Sequence, residues 1–224
     1  MIRLSKGFTL VELLISMTLL SMIMLLGSWS FSVFTNKWEG RLGYFSQHVS
    51  QTKDHILLND VIMSIIPYVT KVKHNPKYYF STSATQLKAV TQSSIFHPGQ
   101  PVLFKLSVEE SDDGSKFLLY QESLLNVLEE NTDIVYSHEK ILIAKADTIS
   151  FSAFGWSSAQ SKIKSEDPIS AGTNEKPKWR DSYNSIVSNL MPISIRVTWD
   201  GNVVSFPIQN DQGMWLTLMI GESN

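Results

Sequence analysis

Cysteine is absent from the sequence, and neither sign of charge is in large excess. Without cysteine there can be no disulfide, no thiolate metal site and no cysteine nucleophile. The 19 basic and 21 acidic residues give a formal net charge of -2, which argues against a broadly basic surface for nucleic acid. No proline precedes Pro67, so no proline interrupts a helix in that part of the chain. The 224 residues suffice for one domain with its own core and an appendage.

Common catalytic and metal-binding motifs are also missing. The five histidines form neither a His-x-x-x-His nor a His-Glu-x-x-His pair, and no Gly-x-Ser-x-Gly elbow or glycine-rich phosphate loop occurs. An EF-hand count from Glu109 puts Gly114 in the sixth place but Tyr120 where a bidentate glutamate is required, so the acidic run predicts a hairpin tip. We therefore predict no enzyme activity, no cofactor and no metal site.

A long uncharged run follows the N-terminus. No residue between Leu13 and Asn36 carries a charge, and roughly 20 apolar residues suffice to cross a bilayer as a helix. We predict one transmembrane segment over 8–36. Because Arg3 and Lys6 precede it, the short basic end should stay in the cytoplasm and the remainder should face outward. A cleaved secretory signal is the alternative, but the run is long for one and shows no Ala-x-Ala stop.

Glu12 places a carboxylate at the head of this apolar run. An ionised glutamate in a spanning helix costs roughly 2 to 3 kcal/mol, so such a residue indicates a functional partner. The other reading is a side chain that reaches back to the lipid headgroups. The residue and its place in the run leave both readings open.

The string KGFTLVE, from Lys6 to Glu12, resembles the type IV prepilin processing site, which pilins share with the pseudopilins of type II secretion systems. The resemblance implies a leader peptide over 1–7 and a prepilin peptidase that cuts between Gly7 and Phe8, then methylates the new amine of Phe8. Glycine suits such a cut because it lets the backbone approach a protease closely. Within one helix, the new amine of Phe8 and the carboxylate of Glu12 would be one turn apart and could pair. The resemblance implies instead that Glu12 acts in assembly by pairing with the Phe8 amine of a neighbouring subunit, which would set the axial register.

Apolar residues continue at helical spacing beyond the membrane segment. Leu42, Phe45, Val49, Thr52, Ile56, Met63 and Ile66 fall mostly three or four apart. Together with the absence of proline, this spacing predicts one helix over 8–67. Gly40 and Gly43 are the positions where it could bend.

The chain after Pro67 has the pattern of β structure, since short runs rich in β-branched and aromatic residues alternate with turn signals. The predicted strands are Tyr78–Phe80, Leu87–Val90, Val102–Val108, Phe117–Glu122, Ile141–Ile143, Ile149–Phe154, Ile193–Trp199 and Val203–Ile208. Turns at 112–114 and 200–202 should close hairpins. We predict an α+β fold, with a β-rich domain over 68–224 whose antiparallel sheet packs on the second half of the helix. Taken with the prepilin resemblance, this is the pseudopilin fold.

The segment 157–189 holds most of the loop-forming residues and predicts a long loop, for which we favour a mobile insertion over a functional loop. Trp156 and Trp179 flank this polar stretch. They are candidates for a partner surface, and packing of the loop explains them equally well. Trp199 lies in a strand pattern and should belong to the core.

Looser patterns resemble the J-type minor pseudopilin of type II secretion along most of the chain. They are Ile56–Val61, Pro101–Leu106, Phe117–Glu122, Ile149–Phe151 and Met191–Trp199. The tryptophans that lie close together in the J type are here separated by the polar insertion. The resemblance implies a tip complex with I-type and K-type minor pseudopilins that starts pseudopilus assembly and helps to export folded proteins across the outer membrane. Other implied partners are the major pseudopilin, the inner-membrane assembly platform and the prepilin peptidase; no nucleic acid is expected.

Two alternatives remain open. The same processing site serves pili, so the chain could be a minor pilin of a type IV or mannose-sensitive haemagglutinin pilus, acting in adhesion, motility or DNA uptake. From a different class comes a membrane-anchored periplasmic binding domain that never joins a filament. Such a protein would keep Arg3 and Lys6, because no prepilin peptidase would act on it.

Overall fold

The computed structural model describes residues 9–72, 75–125, 134–166 and 175–208. The predicted leader over 1–7 and Phe8 lie outside the described residues. The chain divides into two compact units, Met1–Ser50 and Gln51–Asn224. In chain order the elements are α1 (Leu10–Met63), β1 (Ile65–Ile66), β2 (Val69–Val72), β3 (Asn75–Tyr78), β4 (Ser81–Ser83), β5 (Gln86–Thr91), β6 (Val102–Glu110), β7 (Lys116–Leu124), β8 (His138–Ala146), β9 (Ile149–Gly155), α2 (Ala159–Glu166), β10 (Lys178–Arg180), β11 (Tyr183–Asn184), α3 (Ser185–Ser188), β12 (Ser194–Trp199) and β13 (Asn202–Pro207).

The first element, α1, is helical without interruption from Leu10 to Met63. Neither Gly40 nor Gly43 ends it, and the absence of proline permits this length. The helix ends before the predicted position 67, because Ile65 and Ile66 form β1 and pair with β5. Two β-branched residues that find strand partners gain more as an extended segment than as a last helical turn.

The end of α1 contributes to the hydrophobic core of the larger unit. Leu58, Val61 and Ile62 are each at most 2% exposed. Burial of one such side chain stabilises a fold by about 1.5 to 3 kcal/mol. At the edge of this contact, Asp54 Oδ1 lies 2.9 Å from Lys140 Nζ of β8. The end of the helix is therefore held to the sheet of the larger unit by packing and by one ion pair.

In the part of the chain that the structure describes, the larger sheet has seven antiparallel strands, in the order β11-β4-β5-β6-β7-β8, with β1 paired to β5. Along β7 the side chains of Leu118, Tyr120 and Glu122 are buried, which is the period of two expected for one face of a strand. This alternation places the carboxylate of Glu122 at a core-facing position.

A second sheet has the order β10-β9-β12-β13, and β2 and β3 form a separate pair. Phe151, Ile195 and Val197 of the second sheet belong to the same hydrophobic cluster as the buried residues of the larger sheet. At the end of β9, a Cβ on Gly155 would lie 2.9 Å from Cε2 of Tyr183 in β11. The close approach of the two sheets at this point therefore requires glycine.

The predicted α+β fold with a long N-terminal helix is confirmed. Seven of the eight predicted strands match a single strand each; the exception is Tyr78–Phe80, because Tyr78 ends β3 and Ser81 begins β4. Both predicted hairpins are present, with Gly114 and Gly201 at a φ of 79° in their turns. Strands of two to four residues, such as β1 and β2, were not predicted, because such a short segment cannot display the period of two by which strands are recognised.

The prediction of a loop over 157–189 is wrong for its described part, which contains α2, β10, β11 and α3. β10 pairs with β9 and β11 pairs with β4, so the segment adds an edge strand to each sheet. Arg180 of β10 binds Glu175 through Nη2 at 2.7 Å, and Glu175 also accepts a hydrogen bond from Ser157. The polar composition that predicted a loop instead supplies these side-chain bonds.

Candidate functional site

The candidate site begins at the first turn of α1, where Thr9 and Glu12 bond to each other. The N–H of Thr9 donates to Glu12 Oε2 at 3.3 Å, and Thr9 Oγ1 donates to the same oxygen at 3.2 Å. In return, the N–H of Glu12 donates to Thr9 Oγ1 at 3.3 Å. This reciprocal pair is a capping box, in which the residue before the helix and the third helical residue satisfy each other's backbone donors.

The sequence explains why the helix begins here. The first N–H groups of any helix lack acceptors within the helix. A threonine followed three residues later by a glutamate supplies side-chain acceptors for two of these N–H groups. A negative charge in the first turn also interacts favourably with the helix dipole. The carboxylate of Glu12 therefore has a local structural role before any neighbouring subunit is considered.

The apolar part of α1 from Leu10 to Trp38 is long enough to span a membrane, and none of its 29 residues is buried. Leu10 is 78% exposed and Leu25 is 71% exposed, which distinguishes this segment from the core helix of a soluble domain. Length and composition alone do not separate such a helix from a signal sequence.

Several hydroxyls in the span bond within the helix. Ser16 Oγ donates to the carbonyl of Glu12 at 2.7 Å, and Ser21 Oγ donates to the carbonyl of Met17 at 2.8 Å. Thr35 Oγ1 likewise donates to backbone carbonyls of the preceding turn. Because polar groups in lipid must be satisfied internally, these bonds make the hydroxyls compatible with the hydrocarbon region.

Residues 2–28 match a family model described as the prokaryotic N-terminal methylation motif. The chain carries a prepilin-type N-terminus. No curated protein and no solved structure matches the chain. The matched range includes the predicted cleavage pair, Gly7 and Phe8, and it includes the capping box formed by Thr9 and Glu12.

This motif implies processing by a prepilin peptidase and assembly with other pilin-like subunits. The exposed apolar helix that follows it is long and apolar enough to serve as a single-pass membrane anchor. Gly7 and Phe8 lie outside the described residues, so the cut and the methylation remain predictions. Glu12 is the one predicted assembly residue whose geometry is described, and its pairing with a neighbour also remains a prediction.

The two tryptophans of the predicted partner surface are both partly packed. The ring of Trp179 is 37% exposed, lies 3.7 Å from the guanidinium carbon of Arg196, and contacts Phe154 at 5.3 Å between ring centroids. Trp156 is half-buried and lines a cavity of about 240 Å³ together with Arg180. These contacts show how the rings are held, and the role in binding a partner stays a prediction. Trp199, predicted to belong to the core, is partly buried and packs against it.

A buried carboxylate that the sequence reasoning missed lies in the larger sheet. Glu122 is 0% exposed, although it carries an ionisable group. Its oxygens interact with the hydroxyl of Ser94 at 2.7 Å, the N–H groups of Ile95 at 3.0 Å and Phe96 at 3.1 Å, Nδ1 of His97 at 2.7 Å and the hydroxyl of Tyr120 at 2.6 Å. The carboxylate thus holds the segment 94–97 against β7.

The electrostatics of Glu122 follow from these bonds. Burial by itself would raise the pKa of Glu122, but the hydrogen bonds from Tyr120, Ser94, His97 and Ile95 outweigh it and hold that pKa below its ordinary value. In the same network, burial and the neighbouring carboxylate raise the pKa of Tyr120 well above its ordinary value. Glu122 is therefore a buried anion that is stabilised by donors. The available signal in the sequence was a charged residue at an inward position of a strand pattern.

Proposed function

We propose that the chain is a J-type minor pseudopilin, a component of the pseudopilus tip complex in a type II protein secretion system. The observation that carries this proposal is the prepilin-type N-terminus directly ahead of an exposed apolar helix. The looser J-type patterns along the chain and the α+β fold support the finer assignment. The helix would lie in the inner membrane, with the N-terminus in the cytoplasm and the larger unit in the periplasm.

The first step is the removal of the leader. A prepilin peptidase would hydrolyse the bond between Gly7 and Phe8, which removes Arg3 and Lys6 and leaves a cationic amine on Phe8. Methylation of that amine keeps its charge. Because Phe8 directly precedes Thr9, the new charge arises beside the capping box of α1.

The second step pairs charges between subunits. The capping bonds to Thr9 engage one oxygen of Glu12, whereas a carboxylate offers about four lone-pair sites. An amine from the Phe8 of a neighbouring subunit can therefore bind Glu12 while the helix stays capped. In low dielectric this attraction is strong, and an unpaired charge is costly, so the pairing fixes the axial register of the subunits.

The third step is lateral contact between helices and domains. In the larger unit, Ile56 and Met63 of α1 are 54% and 46% exposed and lie seven residues apart, away from the buried face around Leu58 and Ile62. This exposed apolar face suits the packing of a neighbouring helix. The larger unit would recognise the I-type and K-type subunits, while the major pseudopilin and the assembly platform act on the assembled tip. In this proposal the chain hydrolyses nothing itself.

The test is the mass of the mature chain, measured by mass spectrometry in cells with and without a prepilin peptidase. We expect a chain that starts at methylated Phe8 only where the peptidase is present. An intact leader in both samples contradicts the proposal and favours a membrane-anchored domain that never joins a filament.

The prepilin-type N-terminus also serves pili, so a minor pilin of a type IV or mannose-sensitive haemagglutinin pilus is the second candidate. Site-specific crosslinking from Met63, which is 46% exposed on α1, separates the two. Adducts with I-type and K-type subunits support the secretion role. Adducts with pilus subunits alone support the second candidate.

A further inference from the structure

Two histidines meet beside the buried Glu122 network. In the register of β7 and β8, His138 is the partner of Glu122. The rings of His97 and His138 have centroids 4.9 Å apart and planes at 84° to each other. The ring of His138 is further held by stacking on Phe96, at 5.1 Å between centroids and 27° between planes. The turn at 94–97 and the start of β8 thus bring together two imidazoles that are far apart in the sequence.

In each histidine the Nδ1 atom already has an oxygen neighbour. Nδ1 of His97 lies 2.7 Å from Glu122 Oε1, and Nδ1 of His138 lies 2.9 Å from Ser137 Oγ. A carboxylate on Nδ1 fixes the proton there and orients the ring, which leaves Nε2 as the acceptor. The same arrangement orients histidines that bind metal ions, in which the ion takes the other nitrogen.

The spacing of the rings fits a shared ion. An ion about 2.1 Å from a ring nitrogen lies about 3.3 Å from that ring's centroid, so two such rings at a tetrahedral angle around one ion have centroids about 5.4 Å apart. The observed separation is 4.9 Å, which is slightly shorter. Coordination within each ring plane sets no angle between the two planes, so the value of 84° is compatible with it.

We propose that His97 and His138 bind a divalent zinc ion through Nε2, with Glu122 as the positioning residue behind His97. His138 is exposed and the side chain of His97 is 22% exposed, so an ion and its remaining water ligands can reach the pair from solvent. Imidazole nitrogen is a preferred ligand of zinc. Within the described ranges no group of three or more His, Asp or Glu side chains is placed to hold a metal, so this is a site with two protein ligands.

The bound ion would connect the turn at 94–97 to the first residue of β8. This connection adds to the bonds that Glu122 already makes to the turn. The site lies in the larger unit and depends on neither leader cleavage nor filament assembly.

The test is a calorimetric titration of the metal-stripped full chain, in detergent micelles, with zinc chloride. We expect saturable one-to-one binding that weakens at least tenfold in His97→Gln and in His138→Gln. Glu122→Gln should weaken it by about tenfold to 100-fold, the usual effect of losing a carboxylate behind a metal-binding histidine. His55→Gln is the matched control, because His55 is an exposed histidine that packs against Trp199 and should leave the binding unchanged.

His138→Gln keeps the proposal testable if His97→Gln or Glu122→Gln unfolds the turn, since the side chain of His138 is not among the described hydrogen-bond partners of the Glu122 carboxylate. Nitrogen-15 spectra of the histidine rings provide the second readout, in which zinc should shift Nε2 of His97 and His138 together. A titration without saturation, or an unchanged isotherm in folded His138→Gln, overturns the proposal.

Discussion

Glu12 and Glu122 both lie among apolar residues, but their carboxylates are stabilised by different kinds of hydrogen-bond partner. Glu12 is exposed at the start of α1, and its capping partner is Thr9, three residues away in the chain. Glu122 is 0% exposed, and four of its five partners come from the distant segment 94–97. An exposed carboxylate can obtain its hydrogen bonds from a local motif. A buried carboxylate needs several hydrogen-bond donors, which only the tertiary fold brings together.

The difference should also appear in function. A carboxylate with exposed surface and local bonds can accept a further cation from another subunit. A carboxylate enclosed by its own donors cannot accept a cation from another subunit, so it acts within its own domain. Substitutions at the two positions should therefore affect different measurements.

The largest effect is expected for Glu12→Val, which should leave leader cleavage intact and abolish assembly with neighbouring subunits. The physical reason is that the cationic amine of Phe8 then has no carboxylate to meet in the membrane. Crosslinking between neighbouring helices, with the mature mass measured on the same sample, checks both parts. Normal crosslinking in a correctly cleaved variant would show that the register argument is wrong.

Next comes Glu122→Ala, which should lower the free energy of unfolding of the larger unit by about 3 to 5 kcal/mol. The substitution leaves buried donors without an acceptor, among them the hydroxyl of Tyr120. This loss of stability can be measured by unfolding the full chain in micelles with denaturant and monitoring tryptophan fluorescence. Glu139→Ala, at an exposed position of β8, is the matched control. An equal loss of stability in both variants would show that burial of the Glu122 carboxylate is not the cause.

A smaller effect on the free energy of unfolding is expected when the pH is lowered. Since the pKa of Glu122 is lowered in the folded chain, its contribution to stability is complete above the ordinary value of 4.5 and is lost as the pH falls below that value towards the folded pKa. Wild type should therefore lose stability more steeply than Glu122→Gln in this acid range.

The measurement is the free energy of unfolding over a pH series for both proteins. Hydrogen bonds also lower the pKa of Asp113, whose side chain is exposed, so Asp113→Asn serves as a control. Parallel curves for wild type and Glu122→Gln would contradict the assignment of the acid effect to Glu122.

The smallest effect is expected for Thr9→Val, which removes the hydroxyl of the capping box and keeps the branched shape. Loss of a cap should speed amide exchange in the first turn of α1 by about fivefold. Hydrogen exchange of the full chain in micelles checks this. Thr9→Ser should restore slow exchange; if it does not, the hydroxyl is not the stabilising group.

Much of the fold could be predicted from local patterns. The apolar run predicted the exposed helix, and the glycine turns at Gly114 and Gly201 predicted two hairpins. The strands β10 and β11 could not be predicted, because segments of two or three residues are too short to show a periodicity. Each of these strands also depends on pairing with a strand that is distant in the chain. The Glu122 network was missed for a related reason, since its donors and its strand are joined only by the fold.

The sequence by itself determined the prepilin-type N-terminus, the apolar helix long enough to span a membrane and the start of α1 at the Thr9–Glu12 pair. Each depends on residues within a few turns of one another, so local chemistry is sufficient. The tertiary structure decided the burial of Glu122, the meeting of His97 with His138 and the packing of Trp179 on Arg196. These depend on strand register and sheet packing, which bring distant residues together only when the whole core has formed.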